Sequence, residues 1–252
     1  MHYKETIQQH YKTFWKMGIP TDFVDMSCDI SNYKVLVAPM MYLLRNGFEQ
    51  KIKDFVEVGG TLITTYWSGI VNETDLCYLE GTPHGLMDVV GLRSEEIDGL
   101  FDGETNSATT CSPWLTKSPS YSCSELCDLV IPSTAKTLMT YNEDFYANKP
   151  ALTVNSFGRG QAYYIATKFE DKFYDEFYEQ VLETLEIKRP LDIHLPEGVI
   201  VTDRDGYLFI QNFNRETVSL SALPTTYQLV DGNKNIHETF NLKPFEVIII
   251  HN

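Results

Sequence analysis

The chain has 252 residues, 43% of them hydrophobic, which is enough to bury a sizeable core as one large domain or two smaller ones. Its formal net charge of −15, spread along the chain rather than gathered in one tail, repels phosphate backbones and anionic headgroups, so neither nucleic acid nor a membrane is an expected partner. No stretch approaches the roughly 20 apolar residues needed to cross a bilayer. The opening Met1-His2-Tyr3-Lys4-Glu5-Thr6 has no signal-peptide apolar core, and the expected location is cytoplasmic.

In chain order, Tyr3 to Met17 places Ile7, Tyr11, Phe14 and Trp15 at helical spacing and ends at Gly18-Ile19-Pro20, which predicts an amphipathic helix. A short apolar run at Phe23-Val24 follows. Tyr33 to Ala38, closed by Pro39, reads as a buried strand, and Phe48, Ile52, Phe55, Val56 and Val58 trace a second helix ended by Gly59-Gly60. Thr61 to Tyr66 is the next strand. This rhythm is that of a doubly wound α/β domain whose first strand, which should precede the first helix, is missing upstream.

The region from Ser68 to Pro150 is rich in Gly, Ser, Thr, Asp and Pro and is expected to form long irregular excursions from the sheet. Regularity returns in a hairpin, Ala151 to Val154 and Gln161 to Thr167, turned by Phe157-Gly158-Arg159-Gly160. Phe169, Phe173, Phe177, Val181, Leu182 and Leu185 form one face of a further helix. Lys188-Arg189-Pro190 marks a boundary, giving domains at 1–189 and 190–252. Beyond it Val199-Ile200-Val201, Tyr207 to Ile210, Tyr227 to Val230 and Phe245 to Ile250 alternate with turns at Asp203-Arg204-Asp205-Gly206 and Asp231-Gly232-Asn233. That pattern predicts a small antiparallel β-sandwich whose final strand is covered rather than at an edge.

The five cysteines (Cys28, Cys77, Cys111, Cys123 and Cys127) are odd in number and irregularly spaced, which points to reduced thiols. Cys123 and Cys127, taken with Cys111 and His84, lack the tight paired spacing of structural zinc, and no metal or cofactor is expected. A nucleophile elbow needs a reactive residue between glycines at a strand end; neither Ala38-Pro39-Met40-Met41 nor Tyr66-Trp67-Ser68-Gly69 supplies a cysteine, and Ser68 has no identifiable histidine partner. Gly158-Arg159-Gly160 leads into a strand, whereas a phosphate cradle needs a helix N-terminus. Glu95, Glu96 and Asp98 lie on one segment, where paired glycosidase acids would diverge. No catalytic residue is assigned.

Two strings carry a resemblance. Gly59-Gly60-Thr61-Leu62-Ile63-Thr64-Thr65-Tyr66-Trp67-Ser68-Gly69-Ile70-Val71-Asn72-Glu73-Thr74-Asp75, and Gly85-Leu86-Met87-Asp88-Val89-Val90-Gly91-Leu92-Arg93-Ser94-Glu95-Glu96-Ile97-Asp98, resemble the trimerisation domain of glycoside hydrolase family 42 β-galactosidases. Phe157 to Thr167 looks like the same domain's late hairpin, and Leu242-Lys243-Pro244-Phe245-Glu246-Val247 looks like the last strand of the family's C-terminal β domain.

The resemblance implies an amidotransferase-like (flavodoxin-like) α/β trimerisation domain followed by a small β domain. The catalytic glutamates would sit on an N-terminal (β/α)8 barrel absent from these residues, so the chain is expected to be a truncated or cut piece of a homotrimeric enzyme and to serve as scaffold. A loop carrying Trp67, Ser68, Asn72 and Glu73 is expected to face the barrel or a neighbouring subunit. Two other readings remain open: a stand-alone amidotransferase-like hydrolase, and a sugar-binding module in which Trp67, Trp114 and Tyr121 stack on sugar rings.

Overall fold

The structure is a computed structural model that describes residues 2–115, 117–231 and 235–251. It divides into two compact units, Met1–His10 with Val24–Phe177 and Tyr11–Phe23 with Tyr178–Asn252. The expected turn at Asp231-Gly232-Asn233 lies outside the described residues from Gly232 onward.

In the first unit, an apolar β1 (Val35–Ala38) leads through α2 (Phe48–Glu57) to β2 (Thr61–Thr65), and the two strands pair in parallel, Val35 opposite Thr61. Helix α2 buries the stripe foreseen from its spacing, Phe48, Ile52, Phe55 and Val56. After a short α3 (Met87–Val90) come β3 (Leu92–Gly99), β4 (Thr105–Thr110), β5 (Ser120–Pro132), β6 (Lys136–Tyr141), β7 (Pro150–Phe157), β8 (Gly160–Ile165) and β9 (Thr167–Phe169). Among the described residues they make one nine-stranded sheet, ordered β1-β2-β8-β7-β6-β4-β5-β3, with β9 also on β5. Only β1, β2 and β8 are parallel neighbours; from β8 onward the pairings are antiparallel, so the sheet is mixed.

The region from Ser68 to Pro150 is therefore not a set of irregular excursions, because it supplies β3 to β6. Thr-Asn-Ser-Ala-Thr-Thr in β4 buries only Asn106 and Ala108 and has no apolar run, so its β propensity lies in its threonines and in alternation of burial.

Strand β8 is covered on both faces. Ala162 and Tyr164 join the α2 side, with Val56, Leu62, Leu86 and Val90 in one core. Tyr163 points the other way, with its ring 5.5 Å from Phe177 in the middle of α4 (Asp171–Thr184) and 5.3 Å from Trp114. Phe173 stacks on Phe169 at 4.0 Å there. The β7–β8 turn is tight, as expected, and its tip lies against α2: Arg159 N–H donates to the Glu57 carbonyl at 2.9 Å. A Cβ on Gly160 would come within 2.2 Å of the Gly60 oxygen, while one on Gly60 would come within 2.4 Å of the Phe55 ring, so both positions require glycine for close approach.

Helix α1 (Tyr3–Met17) has the expected bounds but not the expected face. Thr6, His10, Thr13 and Phe14 are buried, whereas Trp15 is 40% exposed. The buried polar residues are tolerated because Thr6 Oγ1 donates to His2 O at 3.0 Å and the His10 ring lies 4.6 Å from that of Tyr174.

In the second unit, β10 (Val199–Arg204), β11 (Tyr207–Asn212), β13 (Tyr227–Leu229), β14 (Asn235–Ile236) and β16 (Val247–His251) form an antiparallel sheet ordered β10-β11-β16-β13-β14, while β12 (Val218–Leu220) pairs with β15 (Phe240–Leu242). Val201, Ile210 and Ile250 of the larger sheet share a core with Leu220 and Leu242 of the smaller. The final strand has neighbours on both sides, as expected, although it begins at Val247 because Phe245 turns with φ 56°. Asn212 is buried, accepts from Asn214 N–H at 2.9 Å and donates to the carbonyls of Glu216 and Lys243 at 3.0 and 2.8 Å.

Two buried ionisable groups of the first unit set its pH response. Asp128 on β5 accepts from Ser94 Oγ at 2.5 Å and from Tyr164 Oη at 2.6 Å, yet burial outweighs those bonds and pushes its pKa up to about 6. A carboxyl that holds its proton more tightly when folded contributes stability fully below the unfolded value, and this is lost as pH rises through 6. His10 is pushed down to about 3 by burial, so its contribution is present above the unfolded value of 6.5 and lost as pH falls toward 3. Asp128→Asn is expected to reduce the fall in unfolding free energy between pH 5 and 8 by about 1–1.5 kcal/mol, because at 1.36 kcal/mol per pKa unit only about the last unit of the shift, from pH 5 to 6, falls in that window. Urea titrations at several pH values check this, and parallel curves for the two proteins would contradict it.

Candidate functional site

Ligand-facing loops of parallel α/β sheets lie beyond the carboxyl ends of the strands, where β1 and β2 end side by side. Two residues past each strand the backbone turns left-handed, at Met40 with φ 47° and at Trp67 with φ 59°. A sharp strand-end turn of the kind that presents a nucleophile is thus present at Trp67, although the sequence gives no sign of one. The side chain it presents is an indole, which has no nucleophilic heteroatom.

Hydroxyls lace the two strand ends together. Thr64 Oγ1 donates to Ala38 O at 2.9 Å and lies 2.9 Å from Ser68 Oγ. Since Thr64 commits its proton to Ala38, Ser68 donates to Thr64, and Ser68 also accepts the Met41 N–H at 3.2 Å. Thr65 Oγ1 accepts the Met40 N–H at 2.8 Å. Ser68 is 1% exposed, so its oxygen is a latch between strand ends and does not face solvent. The loop continues through Gly69 N–H to Met41 O (2.8 Å) and Val71 N–H to Tyr42 O (3.1 Å).

The remaining loop residues divide by exposure. Trp67 is half-buried with its ring 5.8 Å from that of Tyr42, and its Nε1 is enclosed without a hydrogen-bond partner among the described residues. Asn72 Oδ1 accepts from the Thr74 and Leu76 N–H groups at 2.9 and 3.1 Å, which closes the turn, and Glu73 is exposed. His84 stacks on Tyr78 with centroids 3.5 Å apart and has Nδ1 3.6 Å from Glu80 Oε2. The structure thus brings Trp67 and Ser68 to one strand end and sets Asn72 and Glu73 on the adjoining turn. The organising hydroxyls of Thr64 and Thr65 were passed over in the sequence, where consecutive threonines read only as strand formers.

Other candidate groups do not converge. Glu95 and Glu96 are exposed on edge strand β3, where Glu95 pairs with Arg93 at 3.3 Å. Cys111 is exposed and Cys123 is buried, and no cluster of three or more His, Cys, Asp or Glu among the described residues could hold a metal ion. The aromatic trio proposed for sugar stacking is not a platform. Tyr121 is 1% exposed and donates to Glu176 Oε2 at 2.5 Å, while Trp114 packs between Tyr163 and Phe177.

Because Ser68 joins two strand ends, Ser68→Ala is expected to cost about 1–3 kcal/mol of stability, the penalty for leaving buried groups unpaired. Chemical denaturation checks this, and an unchanged midpoint would show that the latch contributes nothing.

Comparison with known proteins agrees with this geometry. A family model described as the β-galactosidase trimerisation domain matches residues 1–188, and one for the β-galactosidase C-terminal domain matches residues 198–252. The chain is 43% identical over 255 residues to β-galactosidase Pbg of Clostridium perfringens, covering 98% of this chain and 37% of that protein. It is similar to the crystal structure of a β-galactosidase from Rahnella sp. R3 (38% identity, TM-score 0.93, 100% of this chain and 37% of that one). A β-galactosidase from Bacillus circulans sp. alkalophilus gives 35% identity and a TM-score of 0.94 over 100% of this chain and 38% of the other. The chain therefore spans little more than a third of the relatives it matches, and it belongs to the glycoside hydrolase family 42 β-galactosidases, of which it is the trimerisation and C-terminal portion.

Proposed function

We propose that this chain is the non-catalytic assembly portion of an enzyme that hydrolyses terminal β-D-galactosides with retention of configuration. In this reading the acid and nucleophile glutamates lie on an N-terminal (β/α)8 barrel outside these residues. Three copies associate through a domain at 1–189, a small β domain occupies 190–252, and the enzyme works in the cytoplasm. The observation that carries it is the match of both family models, in order, to a chain that spans 37% of its relatives' length.

The α/β domain is read as amidotransferase-like with one strand supplied from upstream. Support comes from the parallel β1–α2–β2 unit and from β1 itself, which ends the sheet order and so has one strand neighbour among the described residues. Its four residues are only half-buried, where the apolar run reads as a buried strand, and half-burial is what an edge awaiting a partner has.

The loop bearing Trp67, Ser68, Asn72 and Glu73 is proposed to face the barrel or a neighbouring subunit, with Trp67 as its apolar anchor. Enzyme purified from its native source is expected to have the mass of three copies and to cleave a chromogenic galactoside, while the 252-residue chain alone does not cleave it. Hydrolysis by the isolated chain would end the scaffold reading. Trp67→Ala in the intact enzyme is expected to weaken trimer association or raise KM about tenfold, the effect of losing ~1.4 kcal/mol. Unchanged mass by sedimentation together with unchanged kinetics would remove the loop's role.

A further inference from the structure

Strand β5 changes partners midway, from β4 (Asn106 opposite Cys123) to β3 (Asp98 opposite Cys127), and β9 bridges the changeover. Across β9, Cys123 lies opposite Phe169 and Cys127 opposite Thr167, so a four-residue step on β5 is matched by a two-residue step on β9. The surplus, Glu125 and Leu126, is taken up in a bulge where Glu125 has φ 66°. The Thr167 hydroxyl donates to Leu126 O at 2.6 Å and holds that bulge.

The bulge has a geometric consequence for the two cysteines. In a regular strand their Cα atoms would be about 13 Å apart, but the β9 residues opposite them, Phe169 and Thr167, are two apart on one face, a spacing of about 6.6 Å. That lies inside the upper end of the ~4.4–6.8 Å range that a disulfide spans. Both thiols are buried, and Cys127 Sγ is 3.8 Å from Thr167 Oγ1. The proximity of the two thiols raises Cys123 and lowers Cys127, so Cys127 is the more acidic of the pair.

We propose that Cys123 and Cys127 are a redox pair that closes into a disulfide across the β5 bulge when the chain meets a low-molecular-weight disulfide of the glutathione class. The Cys127 thiolate attacks one sulfur of the oxidant, forms a mixed disulfide and releases one small thiolate. Cys123, giving up its proton, then attacks Cys127 Sγ and expels the second. The protein loses two electrons and two protons, and the oxidant is reduced to two thiols. Local opening of the β5–β9 bulge admits the oxidant, so closure is slower than modification of the exposed Cys28, Cys77 and Cys111.

The sequence supplies its own assay, because tryptic cleavage after Lys117 and Lys136 yields a peptide, Ser118 to Lys136, that holds both cysteines and no other. The folded chain is incubated with oxidised glutathione, alkylated under denaturing conditions and digested without reductant. The expected product is that peptide unalkylated and about 2 Da lighter than its dithiol form. In Cys123→Ala the resolving thiol is gone, and glutathione is expected to remain on Cys127. Two alkyl groups on the wild-type peptide after the Cys111 peptide has been fully oxidised, or glutathione retained on either wild-type cysteine, would overturn the proposal. The wild-type mass decides the matter even if the variant does not fold.

Discussion

A strand buried on both faces must be covered twice, and β2 and β8 impose that requirement on the first unit. All five residues of β2 are buried, so neither face can be left to water. One face of β8 is closed by the apolar stripe of α2, the other by rings that begin with Phe173 and Phe177 of α4. The two coverings differ in kind: aliphatic side chains mixed with Phe48 and Phe55 fill one side, and a cluster of aromatic rings, some stacked and some edge-to-face, fills the other, where Tyr121 meets Phe173 at 81°. With the strands so enclosed, their carboxyl ends are fixed, and the hydroxyls of Thr64, Thr65 and Ser68 can set the loops beyond them.

The same enclosure places ionisable groups where solvent cannot reach. Asp128 and His10 are moved in opposite directions by one cause, since burial disfavours charge whatever its sign. The carboxyl is partly compensated by two hydroxyl donors. The tyrosines around it share the cost: Tyr164 is driven well above the ordinary phenol range by burial and by Asp128 itself, so it remains a donor. Burial thus keeps Tyr164 protonated while the acid beside it changes charge.

Much of the architecture was legible where side-chain periodicity and packing agree. Phe48, Ile52, Phe55 and Val56 are spaced for a helix face and are the residues α2 buries. Alternation was harder to see in β4 and β5, where serine and threonine occupy outward positions and the inward ones are Asn106 and Ala108 in β4 and Tyr121 and Cys123 in β5. Helix α1 shows the limit of reading hydrophobicity as burial, since its buried stripe contains Thr6, His10 and Thr13. The candidate loop was found through its resemblance to family 42, because nothing in Trp67-Ser68-Gly69 discloses a left-handed tryptophan or a serine committed to two partners. The paired thiols were illegible for a related reason, as a spacing of four on a strand places side chains far apart until a bulge shortens the path.

Hairpin tips are usually where sequences drift and where engineers insert tags, since a short surface turn has few neighbours to offend. The tip between β7 and β8 is closed to both. Gly158 has a left-handed φ of 57° with no room beside Glu57, and Gly160 rests on the Gly60 and Val56 carbonyls. Any first carbon added there must displace main chain rather than a side chain, so Gly158 and Gly160 can vary only if the end of α2 moves with them.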